Sequence, residues 1–137
     1  MEVRFFNKEE DYETLCEWWN DWGLPNHHQD ALSNTGLIVS KNGVDICSGF
    51  VYSTDSYIAW IEFITMNKRT TKSQRLGAID LLCDSLIKQA KEMGFKLVMA
   101  FGLDSQDNVS PILAKYRREN LRDKVVNNIS QYYKILT

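Results

Sequence analysis

Glu62 is a carboxylate in a segment built for burial, Tyr57-Ile-Ala-Trp-Ile-Glu-Phe-Ile-Thr65. Strand alternation puts Ile58, Trp60, Glu62 and Ile64 on one face, and Tyr57, Ala59, Ile61, Phe63 and Thr65 on the other. Desolvation there raises a carboxyl pKa, which suits a proton-transfer group; the plainer alternative is an acid paired with arginine or hydrogen-bonded across a sheet. Two basic clusters follow it, Lys68, Arg69, Lys72 and Arg75, then Lys115, Arg117, Arg118, Arg122 and Lys124. They concentrate cations in the second half of a chain whose net charge is only −2. They read either as an anion site or as solvated faces. The adjacent His27 and His28 diverge and have no third ligand at metal spacing, so no metal site is expected. No serine lies in a G-x-S-x-G elbow, no cysteine pairs locally with a histidine, and no P-loop is present, which removes support for hydrolase and NTPase readings.

The elements that must position these residues follow from periodicity. Val3 to Phe6 is strand-like. Asn7 with Glu10 resembles a capping box that opens a helix carrying Tyr12, Leu15, Cys16, Trp19 and Trp22, and Gly23 and Pro25 end it. The pattern leaves one of Trp18 and Trp19 to a surface or pocket. Asn26 to Asn34 reads as a loop or short second helix. Gly36 to Ser40, an Asn42-Gly43 turn, Val44 to Ser53, a second turn and Tyr57 to Thr65 form an antiparallel meander. A polar loop, Met66 to Gln74, leads to the strongest helix of the chain, with Ile79, Leu82, Cys83, Leu86, Ile87, Ala90 and Met93 at i, i+3, i+4 spacing up to Gly94. Phe95 to Phe101 is an apolar run of the kind found in a parallel pair, so strand, helix and strand make a βαβ unit. Ser110-Pro111 opens a short helix, Ile112 to Glu119, and Ile129 to Leu136 closes the chain as a strand.

A length of 137 residues with 44% hydrophobic and 25% charged side chains suits one globular domain, 1–137. The small net charge makes a nucleic-acid partner unlikely, and no apolar run approaches the ~20 residues of a membrane span. Cys16, Cys47 and Cys83, odd in number and widely spaced, read as buried thiols in a reducing compartment. The acidic start lacks the apolar stretch of a signal peptide, and a soluble, cytoplasmic protein is expected.

The order β, α, (α), β, β, β, α, β, α, β, with a basic turn before the central helix, resembles the GNAT superfamily, the Gcn5-related N-acetyltransferases. The segments that carry this are Ala59 to Thr65, Gly77-Ala-Ile-Asp-Leu-Leu82 and Ala90-Lys-Glu-Met-Gly-Phe-Lys96. The opening Glu10 to Trp19, Gly36 to Val39 and Ala59 to Glu62 look closer still to small GNAT-like proteins of tailed bacteriophages. The resemblance implies an α+β fold in α/β/α layers, with a mostly antiparallel sheet and one parallel βαβ unit that splays to hold acetyl-CoA.

It implies a site as well. The family's pyrophosphate loop, Q/R-x-x-G-x-G/A, is matched by Gln74-Arg75-Leu76-Gly77-Ala78-Ile79, with Ile79 where glycine or alanine is usual. Helix N-termini of this kind bind anions through unpaired N–H groups. Lys72 and Arg75 would add charge. Main-chain groups of Phe63, Ile64, Thr65 and Met66 would line the pantetheine arm, and Asn108 stands near the family's cofactor-side asparagine. Glu62 corresponds to the general base of some members. Tyr116, in Tyr116-Arg-Arg-Glu-Asn120-Leu121, corresponds to the tyrosine that protonates the leaving thiolate, and a phenol of pKa ~10 is suited to that. His27 and His28 would border the acceptor pocket. The expected activity is transfer of acetyl from acetyl-CoA to an amine on a small molecule or protein, by direct attack. The alternative is a catalytically silent GNAT-fold interaction protein, with phage structural proteins or a second copy as partners.

Overall fold

The computed structural model describes residues 1–103, 122–126 and 129–135, with side chains placed for residues 1–100. Seven strands form one sheet in the order β1-β2-β3-β4-β5-β7-β6. These are β1 (Glu2–Phe5), β2 (Thr35–Lys41), β3 (Val44–Ser53), β4 (Ile58–Met66), β5 (Leu97–Leu103), β6 (Arg122–Val126) and β7 (Ile129–Ile135). All neighbours pair antiparallel except β4 and β5, which are parallel and joined through the helix α3 (Ala78–Glu92). This is the expected mixed sheet with one βαβ unit. The strand β6 was not anticipated: three of the five residues in Arg122-Asp-Lys-Val-Val126 are charged, and Arg122 and Lys124 read as part of a basic cluster rather than as a strand.

The helix α1 (Lys8–Asp21) begins where Asn7 Oδ1 accepts from the N–H groups of Glu9 and Glu10. It packs Leu15, Trp18 and Trp19 with Phe6, Leu32, Ile38 and Phe50 on one face of the sheet. Both adjacent tryptophans are buried, at 4% and 2% exposed, and Trp22 is the one left at the surface. The opposite face is covered by α3, whose Leu82, Cys83, Leu86, Ile87 and Ala90 meet Val39, Ile46, Val51, Ala59 and Ile61. The layers are α/β/α. Arg4 ties β1 to α1 by a two-pronged bond to Asp11, 2.8 and 3.0 Å, and the guanidinium holds that carboxyl below its usual range.

Three local features refine or depart from the expected outline. Asn26 to Asn34 holds only a 3-10 turn, Gln29–Ala31. The loop before α3 contains a one-turn helix α2 (Lys72–Arg75), closed by a reciprocal Thr71–Gln74 capping box. The third lies in β4. The Asn42-Gly43 turn forms as its sequence requires, with φ of 52° and 79° at the two residues. No helix among the described residues is long and apolar enough to cross a membrane.

Candidate active site

The expected alternation along β4 holds only as far as Glu62. Phe50 of β3 pairs with Glu62 and Ser48 pairs with Thr65, so two residues of β3 advance while three of β4 do. The extra residue is Phe63, at φ 55°. It is a β-bulge, and it reverses which side chains face which layer. Ala59 and Ile61 belong to the α3-side core, and beyond the bulge Ile64 and Met66 pack there too. Phe63 turns instead to the α1 side with Tyr52 and Trp19. The sequence-based grouping of Phe63 and Thr65 with Ala59 and Ile61 is therefore corrected. A strict period of two has no place for an inserted residue.

Beside the bulge the sheet opens. β4 and β5 pair only at Ile58–Leu97, Ala59–Val98 and Trp60–Met99, although β4 runs on to Met66 and β5 to Leu103. Past Trp60 the β4 edge toward β5 has no ladder partner among the described residues. Its main-chain donors and acceptors are left for another group.

Glu62 stands at this opening, half-buried. Burial holds its carboxyl above the usual carboxylate range. No arginine, lysine or hydroxyl partners it among the described residues, so the salt-bridge alternative is not realised there. Aromatic rings stand close by. Tyr52, its phenol raised chiefly by burial and in part by the Glu62 charge, donates its hydroxyl to the Ala31 carbonyl at 2.7 Å. Phe63 lies 4.9 Å from His27, 5.9 Å from Trp19 and 6.0 Å from Tyr52, centroid to centroid. Tyr12 fixes the loop by donating to the His27 carbonyl at 2.7 Å. His27 therefore joins this group. His28 does not: its Nδ1 accepts from the Asp30 N–H and caps the 3-10 turn. Sequence reasoning missed Tyr52, which belongs to no motif and is brought to Phe63 only by the folded sheet, whereas Trp19 was one of the two tryptophans it left to a surface or pocket.

Following the same, C-terminal end of β4, α3 starts at Gly77 with φ 78°, a left-handed cap that favours glycine. The first intrahelical bond is from Leu81 N–H to the Gly77 carbonyl, at 3.0 Å. The helix is thus opened by Gly77, with no side-chain cap, and its first-turn N–H groups are aimed outward along the axis. Leu76 is 78% exposed, pointing away, and Ile79 packs inward against the core. The side chain nearest the helix end is that of Met1, whose Cε stands 3.3 Å from where a Cβ on Gly77 would lie.

The basic loop divides in two. Arg69 pairs with Asp21 at 2.9 Å, and Lys68 reaches the Asp21 carbonyl while its ammonium lies 4.9 Å from the Trp22 ring. Both serve the C-terminal end of α1, where helix carbonyls attract cations. Trp22 Nε1 donates to the Met66 carbonyl at 2.8 Å, which removes that oxygen from the open edge. The sequence left this cluster as an anion site or a solvated face, and these two cations instead tie the loop to α1. Lys72 and Arg75, on α2, form no ion pair among the described residues. The Gln74 side chain is occupied, since its Oε1 accepts from Thr71 N–H at 2.8 Å. Tyr116 and Asn108 lie outside the described residues. No group of three metal-ligating side chains is found among those described.

No family model matches the chain, and no curated protein matches it in sequence. Solved structures do match in three dimensions. Ard1 from Thermoplasma volcanium superimposes with a TM-score of 0.73 at 14% identity, over 99% of this chain and 97% of that one. An acetyltransferase of the GNAT family from Staphylococcus aureus gives 0.68 at 14% identity, over 99% of each chain. YncA from Salmonella typhimurium, solved with its cofactor acetyl-CoA, gives 0.69 at 16%, over 99% and 94%. With the parallel β4–β5 pair between two helical layers, these likenesses show that the chain has the GNAT acetyltransferase fold.

Proposed function

We propose that this protein is an acetyl-CoA-dependent N-acetyltransferase that works in the cytoplasm on an amine-bearing small molecule or protein. The observation that carries the reading is the three-residue contact between β4 and β5 beside the Phe63 bulge. It leaves a main-chain edge suited to the amide-rich pantetheine arm, on the strand that leads through α2 to Gly77 at the start of α3. Acetyl-CoA supplies an activated acyl group as a thioester. The chain's residues do the rest. Main-chain groups of Phe63, Ile64, Thr65 and Met66 line the arm, with the Ile64 N–H polarising the thioester carbonyl. The Gly77–Ala78 turn holds the diphosphate, with Lys72 and Arg75 neutralising it and Asn108 on the cofactor side. Glu62, with its raised pKa, takes a proton from the acceptor ammonium, directly or through water. Tyr116 gives a proton to the leaving sulfur. His27 borders the acceptor.

A second reading is a GNAT-fold binding protein without turnover, for example a phage component. The observation in its favour is the departure from the glycine pattern, with Leu76 bare to solvent and Ile79 where a small residue is usual. Thiol release from acetyl-CoA in the presence of primary amines and of peptides with free amino termini separates the two. The transferase reading expects amine-dependent release, reduced about 100-fold or more in Glu62→Gln and in Tyr116→Phe with acetyl-CoA affinity kept. Binding of acetyl-CoA without release for any acceptor would support the silent reading.

A further inference from the structure

The bulge leaves one stretch of β4 without a register partner. Glu62 is held opposite Phe50 and Thr65 opposite Ser48, while Phe63 and Ile64 between them pair in register with no residue of β3. Toward β5 the ladder has already ended at Trp60 among the described residues. The peptide that joins Phe63 to Ile64 therefore lies outside both registers, where a φ of 55° has turned the chain out of the extended form. A side chain holds it instead. Thr65 Oγ1 donates to the Phe63 carbonyl at 3.1 Å. Thr65 is only 5% exposed, so the bond is made where little water competes for it. Ser48, directly opposite and sharing the face, is also buried, and its Oγ finds no hydrogen-bond partner among the described residues.

The Phe63 carbonyl and the Ile64 N–H belong to one planar trans peptide and point in opposite directions, so neither turns without the other. We propose that Thr65 is the positioning residue for the Ile64 N–H: its hydroxyl fixes the peptide plane and so keeps the N–H aimed at the thioester carbonyl. The inference rests on the acetyl-CoA reading above. A donor that is already oriented needs no reorganisation as charge develops on the acyl oxygen, which makes a fixed N–H worth more than a free one. The hydroxyl has a firm base, because Thr65 is itself in register with β3 and its β-branched side chain has few rotamers. Without that bond, rotation about the single bonds flanking the peptide would let the N–H swing off the oxygen. Valine has nearly the shape of threonine and no hydroxyl, so it removes the anchor and keeps the packing.

Isotope-edited infrared spectroscopy of acetyl-CoA labelled at the acetyl carbonyl carbon, bound to the full chain, reads the polarisation without any acceptor amine. A hydrogen bond to the thioester oxygen draws electron density out of the C=O bond and lowers its stretching frequency. The wild type is expected to shift the band below that of the free cosubstrate. Thr65→Val is expected to bind acetyl-CoA and to lose more than about half of the shift. Thr65→Ser should restore it, and Ser48→Ala, which removes a hydroxyl that anchors nothing, should keep it in full. A merely structural role would follow the melting temperature of each variant and not the band. A full shift in Thr65→Val overturns the inference, as does a loss in Thr65→Ser equal to that in Thr65→Val. A wild type that binds acetyl-CoA with no shift also overturns it and leaves the acetyl-CoA reading standing. A wild type that does not bind acetyl-CoA overturns both.

Discussion

At Glu62 burial and proton chemistry pull in opposite directions. Its carboxyl is held above the usual range by desolvation, so the folded chain binds this proton more tightly than the unfolded chain does. The ionised form then subtracts stability, beginning as pH rises past the unfolded value of ~4.3 and complete above the folded one. Glu62→Gln removes that penalty. Its melting temperature at neutral pH should lie above that of the wild type, and the gap should vanish below about pH 4, where both side chains are neutral. Calorimetry at the two pH values checks this; a variant that melts lower at neutral pH would mean that the ionised carboxylate is held by a favourable partner. Glu62 was legible as an anomaly because an acid in an apolar strand breaks a pattern. Tyr52 was not, because an aromatic residue fits a sheet core equally well whether or not it also borders a pocket. Phe63 was legible as a residue of the site and misread in direction, since its positive φ leaves no mark in the sequence.

Among elements, the segment between β4 and α3 joins two tasks. Lys68 and Arg69 fasten the end of β4 to the last turn of α1, aided by Trp22 on the Met66 carbonyl. Lys72 and Arg75 ride on α2 beside the opening of α3. Replacing Lys72 and Arg75 together by alanine should weaken acetyl-CoA binding about tenfold or more and flatten its dependence on salt, because screening acts on the charges removed. Arg69→Ala should leave the affinity and its salt dependence unchanged. Titrations at low and high salt distinguish the pairs; equal effects from both would mean that the whole loop faces the ligand. The cluster was visible in the sequence, but its division was not. Spacing places cations in a loop, whereas Asp21 and the carbonyls of α1, which claim two of them, lie more than forty residues away in the chain.

For the molecule as a whole, the meander and the βαβ unit were readable because each depends on local pattern, and the α/β/α layers came from the resemblance those elements carry. Helical stripes, turn residues and an apolar run after a helix each name one element, and together they admit few topologies. The bulge, the early parting of β4 from β5 and the strand β6 were beyond that method. They arise from the register between strands rather than from the composition of any one. Identity of 14–16% to the three structures compared is enough for the same architecture and leaves the chemistry to be shown by the site. The central claim is that the opening past Trp60 and the start of α3 at Gly77 hold acetyl-CoA. Thermal melting with added acetyl-CoA tests it most directly. At a hundredfold excess over its dissociation constant, a ligand of the folded state adds ~2.7 kcal/mol, a rise in melting temperature on the order of 5–10 °C for a domain of this size. The account predicts such a rise with acetyl-CoA and a lost or much reduced one in the Lys72→Ala, Arg75→Ala double variant. An unmoved wild-type melting curve at millimolar acetyl-CoA would contradict it.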